Sequence, residues 1–398
     1  MAGVALTAAP SRLERAAYFA LLAFAASLQV SIAAANILLA LTAILWLTLI
    51  VTRRERVEVP AFFWPLLAYA AWTVVSAFFS INPRTSLPDT KQLLLFAIVP
   101  IAYRLLRGRL SLTAVDVVIT VGAVSAMLGI IQYVIQGYDN LGRRPQGMLG
   151  LNMTYSGLVM LVVCAAFARI MFATHNRTWA ALVMPALLIA LAFTFTRSAW
   201  IGACCGVGLL FVLRDFRLLA LLPVALGLFM ALAPANLSAR IYSTFSLTDP
   251  SNADRVAMMK SGVRIIKDHP LTGIGPDMIM EVYPEYRDAT AVNAINPHLH
   301  NVPMQIAAER GLPALVVWLW FIVVLARDLI KRRRGGFPSL ANGALAAVVA
   351  MLTAGMFEYN FGDSEFLMLF LVLVTLPYAA ERMPNWATAP AANVRHAG

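Results

Sequence analysis

The chain has 398 residues, of which 60% are hydrophobic and only 13% charged, and its mean hydropathy is +0.75; an ordinary soluble domain is about 25% charged. A soluble globular protein is thereby excluded, and apolar runs near 20 residues long, repeated along the chain, indicate a polytopic, all-α membrane protein. The formal charge of +11 is then a topological signal and not a nucleic-acid footprint, because the basic residues of a membrane protein collect on one side of the bilayer.

In chain order, Arg12 and Arg15 precede the first apolar stretch, which reads as a retained helix, since no convincing cleavage site follows and further spans come at once. Twelve spans are expected, at 16–33, 35–52, 62–80, 91–107, 113–136, 153–173, 179–195, 198–213, 217–234, 302–328, 339–357 and 365–381. An even count places both termini on one side. The breaks on that side hold Arg53, Arg54, Arg56, Arg104, Arg107, Arg109, Arg169, Arg177, Arg214, Arg217 and Lys331 to Arg334, which makes it the cytoplasmic side. Cys164, Cys204 and Cys205 fall inside apolar runs and read as packed small residues, with no disulfide framework and no zinc spacing.

The organisation expected is therefore nine spans over 1–234, an outer loop over 235–301, three spans over 302–381 and a cytoplasmic Ala/Pro-rich tail over 382–398. The basic residues on the outer side need a separate explanation. Arg143 and Arg144 lie in one outward loop, Arg197 in a tight turn, and Arg240, Arg255, Lys260, Arg264, Lys267 and Arg287 in the long loop. Within that loop Val256, Met259, Val263 and Ile266 repeat at spacings of three and four, after Asn252 and Asp254 as candidate caps. Lys260, Arg264 and Lys267 follow the same spacing one residue on. The predicted helix carries an apolar stripe beside a basic one, as expected of a helix lying at a membrane surface.

Three clusters could carry chemistry. Arg197, in Phe193-Thr-Phe-Thr-Arg-Ser-Ala-Trp200, must lie at or just within the outer interface, where a guanidinium snorkels to headgroups or holds an anion with two parallel hydrogen bonds. Asn296-Pro-His-Leu-His-Asn301 places His298 and His300 just before the tenth span, and histidine is the side chain suited to accept a proton near neutrality. No third ligand at plausible spacing follows, so a metal is not expected there, although either histidine could simply cap a helix start. Phe357-Glu-Tyr-Asn-Phe-Gly-Asp-Ser-Glu365 offers Glu358, Asp363 and Glu365, which could orient a histidine, bind sugar hydroxyls, pair with the arginines or cap the last helix. Gly273-Ile-Gly-Pro-Asp277 lacks the full glycine pattern of a phosphate loop.

The stretch His300-Asn301, nine residues, Gly311-Leu312-Pro313 resembles the histidine motif of the O-antigen ligases, departing from it at Ala314; these belong to a superfamily with the O-antigen polymerases and protein O-oligosaccharyltransferases. Thr196-Arg197-Ser198-Ala199-Trp200 is similar to the superfamily's Ser-Arg segment, and Asp254-Arg255 through Asp268-His-Pro-Leu-Thr-Gly-Ile-Gly275 to its loop signature. The resemblance implies a GT-C-type, inverting, metal-independent glycosyltransferase without cofactor in a bacterial inner membrane. Its donor would be O-antigen on undecaprenyl diphosphate and its acceptor lipid A-core, on the periplasmic side. On that basis Arg197 and Arg255 would hold the diphosphate, joined by Arg264, Lys267 and Arg287, and His300 would be the base, with Asn301 beside it. A polymerase is the nearest rival. A lipid or sugar transporter would instead need ionisable residues near the midplane, whereas the spans here read as nearly free of charge.

Overall fold

A computed structural model of the protein describes residues 11–173, 176–246 and 249–382. Among the described residues there is no β-strand. The helices are α1 (Arg12–Ser27), α2 (Ile32–Arg53), α3 (Phe63–Phe78), α4 (Pro83–Asp89), α5 (Ile98–Leu105), α6 (Leu110–Val134), α7 (Asn152–Phe172), α8 (Arg177–Phe193), α9 (Arg197–Arg214), α10 (Leu221–Leu232), α11 (Ala235–Tyr242), α12 (Pro250–Asp268), α13 (Ile279–Tyr286), α14 (Val302–Arg332), α15 (Pro338–Ala354) and α16 (Ser364–Ala380). Five of them, α2, α6, α7, α9 and α14, are individually long and apolar enough to cross a membrane, and shorter apolar helices accompany them.

The centre of the bundle is α7, α9, α15 and α16, where Leu158 to Cys164 and Phe366 to Val374 are buried almost without exception. α9 approaches α15 closely because Gly202 and Gly206 have no side chain: a Cβ on either would lie 2.9 Å from the carbonyl oxygen of Ala350 or Ala346. Small residues one turn apart allow such backbone approach, and dispersion then takes the place of the hydrophobic effect between helices in lipid. On the outside, Ile37, Ile44, Leu47 and Val51 of α2 and Val316 and Val323 of α14 are exposed, as a lipid-facing surface requires.

Several expectations are corrected. The apolar run at 91–107 is not one regular helix: Thr90–Ala97 is a 3-10 stretch leading into α5. Pro88 and Pro100, on either side, lack the N–H groups that would bond Arg84 and Phe96, and the chain tightens between them. Cys164 is buried as expected, but Cys204 and Cys205 are exposed. The helical segments are also less free of charge than the composition suggests. Arg169 of α7 is buried and bonded by two nitrogens to Asp116 of α6 at 3.0 and 3.1 Å, and Glu309 and Arg310 of α14 are both buried.

Those last two residues sit where α14 breaks. Gly311 has φ 79° and ψ 169°, and Pro313 cannot donate, so the carbonyls before the break lose their helical partners. The loop after α12 supplies replacements: Ile274 N–H donates to the Ala308 carbonyl at 3.0 Å and Gly275 N–H to that of Glu309 at 2.8 Å. Trp72 Nε1 of α3 donates to the Arg310 carbonyl at 3.0 Å. A broken helix at this depth is tolerable because neighbouring protein re-satisfies its backbone.

Candidate active site

The segment before α14 is tied down at several points. Asn301 caps α14, its Oδ1 accepting from Met304 N–H at 2.9 Å while its Nδ2 donates to the Met356 carbonyl at 3.1 Å. Val302 N–H donates to the Gly355 carbonyl at 2.7 Å, so the start of α14 is stitched to the turn after α15. His300, immediately before the cap, is held in the left-handed region at φ 49°, a conformation that a non-glycine residue keeps only where its surroundings enforce it.

The result brings residues 58 positions apart together. His300 Nδ1 lies 3.1 Å from both carboxylate oxygens of Glu358, and His298 Nε2 lies 3.3 Å from Oε1. Burial alone would raise the Glu358 pKa, but the bonds from the two imidazoles outweigh it and hold the carboxyl well below the usual range. An ionised carboxylate only accepts, so His300 donates from Nδ1, which in the neutral imidazole leaves the lone pair on Nε2. His298, bonded through Nε2, is committed the other way round.

Both histidines and Glu358 line a cavity of about 320 Å³ together with Thr154, Tyr359, Asp363 and the apolar Met153, Met160 and Phe366. Asp363 caps α16 by accepting from Phe366 N–H at 2.9 Å and also bonds the Thr154 hydroxyl. Burial, with the Glu365 charge assisting, pushes its pKa up to about 6 despite those bonds. Glu365 is buried in the first turn of α16, accepting from the Ser364 hydroxyl at 2.9 Å, and does not line the cavity.

Arginines converge on the same region. Thr196 and Ser198 line the cavity, and between them buried Arg197 donates to Asp249 at 3.0 Å and to the Ser243 carbonyl at 2.9 Å. Arg255 donates through Nε to the carbonyl of Phe357, next to Glu358, at 3.1 Å. Two further arginines join them that the sequence had not marked for the site. Arg240 lies 3.7 Å from Asp249, and Arg144 is within electrostatic reach of Glu358 and Arg255. Burial and the neighbouring guanidiniums lower the pKa of Arg144, Arg240 and Arg255, that of Arg240 to about 10. None of these four guanidiniums belongs to the lining of the cavity, whose charged groups are Glu358 and Asp363; the arginines form a cluster next to it.

The other basic residues are elsewhere. Arg264 pairs with Asp288 at 2.7 Å, Arg287 donates to the carbonyls of Ala291 and Asn293 at 2.8 and 3.0 Å, and Lys267 is exposed in the last turn of α12. Arg264 lies nine positions after Arg255 in the helix, about half a turn beyond two full turns, so the two point to opposite sides of α12. The capping of α12 is also corrected: Asp249 accepts from Ser251 and Asn252 N–H at 3.1 and 3.2 Å. Asp254 instead accepts from Val292 and Asn293 N–H at 2.9 and 3.0 Å, pinning the loop that leads to the histidines. The apolar stripe of Val256, Met259 and Val263 is exposed, as expected for a helix at a membrane surface.

Behind the cavity lies a network that the sequence had hidden inside a span. Arg310 Nη1 bonds Glu309 at 2.6 Å and the Tyr359 hydroxyl at 3.3 Å, and Nη2 is 4.0 Å from Asp89. The Tyr359 ring lies 6.2 Å from that of His298. The available signal was the Glu-Arg pair itself, since adjacent ionisable residues in an apolar run are costly and seldom without a role. A third candidate metal ligand, absent from the local spacing, is also present: donor atoms of His298, His300 and Glu358 lie within 4.8 Å of one another. Two imidazoles and a carboxylate are a set that could hold a transition metal.

Residues 182–319 match the family described as O-antigen ligase, which bears out the resemblance read from the motifs. The matched segment contains Arg197, Arg255, His298, His300 and the Gly311 break, while Glu358 lies beyond it. No curated protein matches the chain.

Proposed function

We propose that the protein is an O-antigen ligase, moving a polysaccharide from undecaprenyl diphosphate to a hydroxyl of lipid A-core at the outer face of a bacterial inner membrane. The observation that carries this reading is the juxtaposition of one oriented histidine base with a charge-deficient arginine cluster beside one cavity. His300 Nε2 takes the proton of the acceptor hydroxyl, the oxygen attacks the anomeric carbon opposite the diphosphate, and the anomeric C–O bond breaks with inversion. The diphosphate departs with the electron pair, stabilised by Arg144, Arg197, Arg240 and Arg255. Glu358 fixes the tautomer of His300 and stabilises the imidazolium as it forms. The arginine cluster beside the cavity supports a metal-independent step, because guanidiniums can supply the charge neutralisation that a divalent ion supplies elsewhere.

The family match supports the superfamily, and the acceptor distinguishes ligase from polymerase. Disruption of the gene is expected to leave long polymer on undecaprenyl diphosphate and lipid A-core without it. Lipopolysaccharide carrying a single repeat would assign the polymerase instead. In purified protein, His300→Ala is expected to abolish transfer to lipid A-core while leaving the fold intact, because His300 belongs to an irregular segment whose hold on α14 runs through Asn301 and Val302. Near-normal transfer by that variant would remove the base from the scheme.

A further inference from the structure

At the end of the bundle remote from the histidines, α2, the segment after it, α5 and the residue Arg382 beyond α16 border a second cavity of about 280 Å³, lined by Arg56, Arg104, Arg107, Arg382, Glu55 and Glu58 with Trp46 and Ile50 on one wall. The length of α16, 17 residues or about 25 Å, separates the two sites. Its charges do not balance. Glu55 grips Arg104 with two bonds at 2.6 and 2.8 Å, Glu14 shares Arg104 and Arg53, and Glu58 bonds Arg382. Among the described residues, Arg56 and Arg107 have no carboxylate partner. Residues 1–10 and 383–398, outside the described part at either end, contain no Asp or Glu that could supply one.

Two buried donors on this cavity also lack acceptors, Arg107 Nε and the indole Nε1 of Trp46, whose side chain is 8% exposed. A buried unmade hydrogen bond is expensive, and both belong to residues that line this one cavity. Burial and the Arg104 and Arg382 guanidiniums lower the Arg107 pKa, so an anion would relieve it. The wall formed by Trp46 and Ile50 adjoins the exposed Leu47 and Val51 of α2, the surface offered to lipid.

We propose that this cavity binds a phosphate group, brought by the headgroup of an anionic phospholipid in the leaflet at this end of the bundle. The phosphate oxygens accept from the guanidiniums of Arg107 and Arg56, while the acyl chains follow the exposed face of α2 beside Trp46 and Ile50. Glu55 and Glu58 hold Arg104 and Arg382 open as the cavity walls. The site is independent of glycosyl transfer.

The test is native mass spectrometry of the delipidated full chain in detergent, titrated with phosphatidylglycerol or phosphatidylcholine. Arg107→Gln is expected to weaken binding of the first phosphatidylglycerol by about tenfold or more, the loss of one charge-assisted phosphate contact, and to leave phosphatidylcholine unaffected. Arg56→Gln, at the exposed rim, serves if Arg107→Gln fails to fold and is expected to act in the same direction. Arg109→Gln, exposed and outside the cavity, controls for general charge. Millimolar inorganic phosphate that competes away the difference between wild type and Arg107→Gln would assign the site to free phosphate, and failure to compete assigns it to the lipid. Equal affinity of wild type, Arg107→Gln and Arg56→Gln for phosphatidylglycerol would overturn the proposal.

Discussion

The 3.1 Å bond between His300 and Glu358 fixes which imidazole nitrogen donates, and in the proposed scheme the two act as one unit. Glu358→Gln keeps the shape but can present its amide N–H to Nδ1, which would turn the tautomer round and put the proton on Nε2. Transfer is expected to fall roughly a hundred- to ten-thousand-fold, and the double variant with His300→Ala to be hardly worse than the worse single, as for residues that share one function. Losses that multiply in the double variant would mean that Glu358 serves the donor and not the base. His298→Ala should be milder, since His298 spends Nε2 on Glu358. The same three side chains set a second test, because they could hold a metal. Purified protein is expected to keep full activity in excess EDTA; loss that zinc or manganese restores would convert the trio from an acid–base unit into a ligand set.

α12 is the element that couples the arginines, through Asp249 at its start. One carboxylate caps the helix that carries Arg255 and pairs with buried Arg197 at 3.0 Å. Asp249→Asn retains capping ability and loses the charge, whereas Asp249→Ala loses both, so alanine is expected to be less stable than asparagine by about 1 kcal/mol. Both should unfold below wild type, since either leaves the Arg197 charge uncompensated, a loss on the order of 3 kcal/mol. If a diphosphate takes over as counter-charge, undecaprenyl diphosphate should raise the melting temperature of Asp249→Asn more than that of wild type; an equal shift would separate Arg197 from the donor. The periodicity of α12 is readable from the sequence, and the signal for its true cap is the Asp249-Pro250 pair, where a first-turn proline marks the residue before it. Likewise the two halves of the family resemblance, Gly311-Leu312-Pro313 and Thr272-Gly-Ile-Gly275, are sequence-distant strings whose common purpose is one backbone junction. Spacing along the chain cannot show that 2.8 Å bond between Gly275 and Glu309.

At the scale of the whole molecule, the long apolar stretches mark the apolar helices, because burial in lipid demands such stretches wherever the chain crosses, but they do not reveal α4, α11, α13 or the 3-10 stretch Thr90–Ala97. Nor could they find the cavity, which depends on Glu358 returning from beyond α15 to meet residues before α14. The bundle nonetheless has two chemically distinct ends. One gathers Glu14, Arg53, Glu55, Arg104, Glu58 and Arg382 from four separate breaks in the chain, and the other gathers the histidines with Arg197 and Arg255. The positive-inside rule puts the first end in the cytoplasm, and the proposed donor chemistry requires the second to face outward. Both can be checked at once in a variant whose Cys164, Cys204 and Cys205 are replaced by alanine and which carries either Ala289→Cys, exposed in the loop before the histidines, or Arg56→Cys, exposed at the opposite end. A membrane-impermeant maleimide, admitted through the outer membrane but kept from the cytoplasm, is expected to label the cysteine at 289 in intact cells and the one at 56 only after the inner membrane is opened. The reverse pattern would place the histidine cavity on the cytoplasmic side and exclude transfer to an acceptor in the outer leaflet, however well the isolated protein bound undecaprenyl diphosphate.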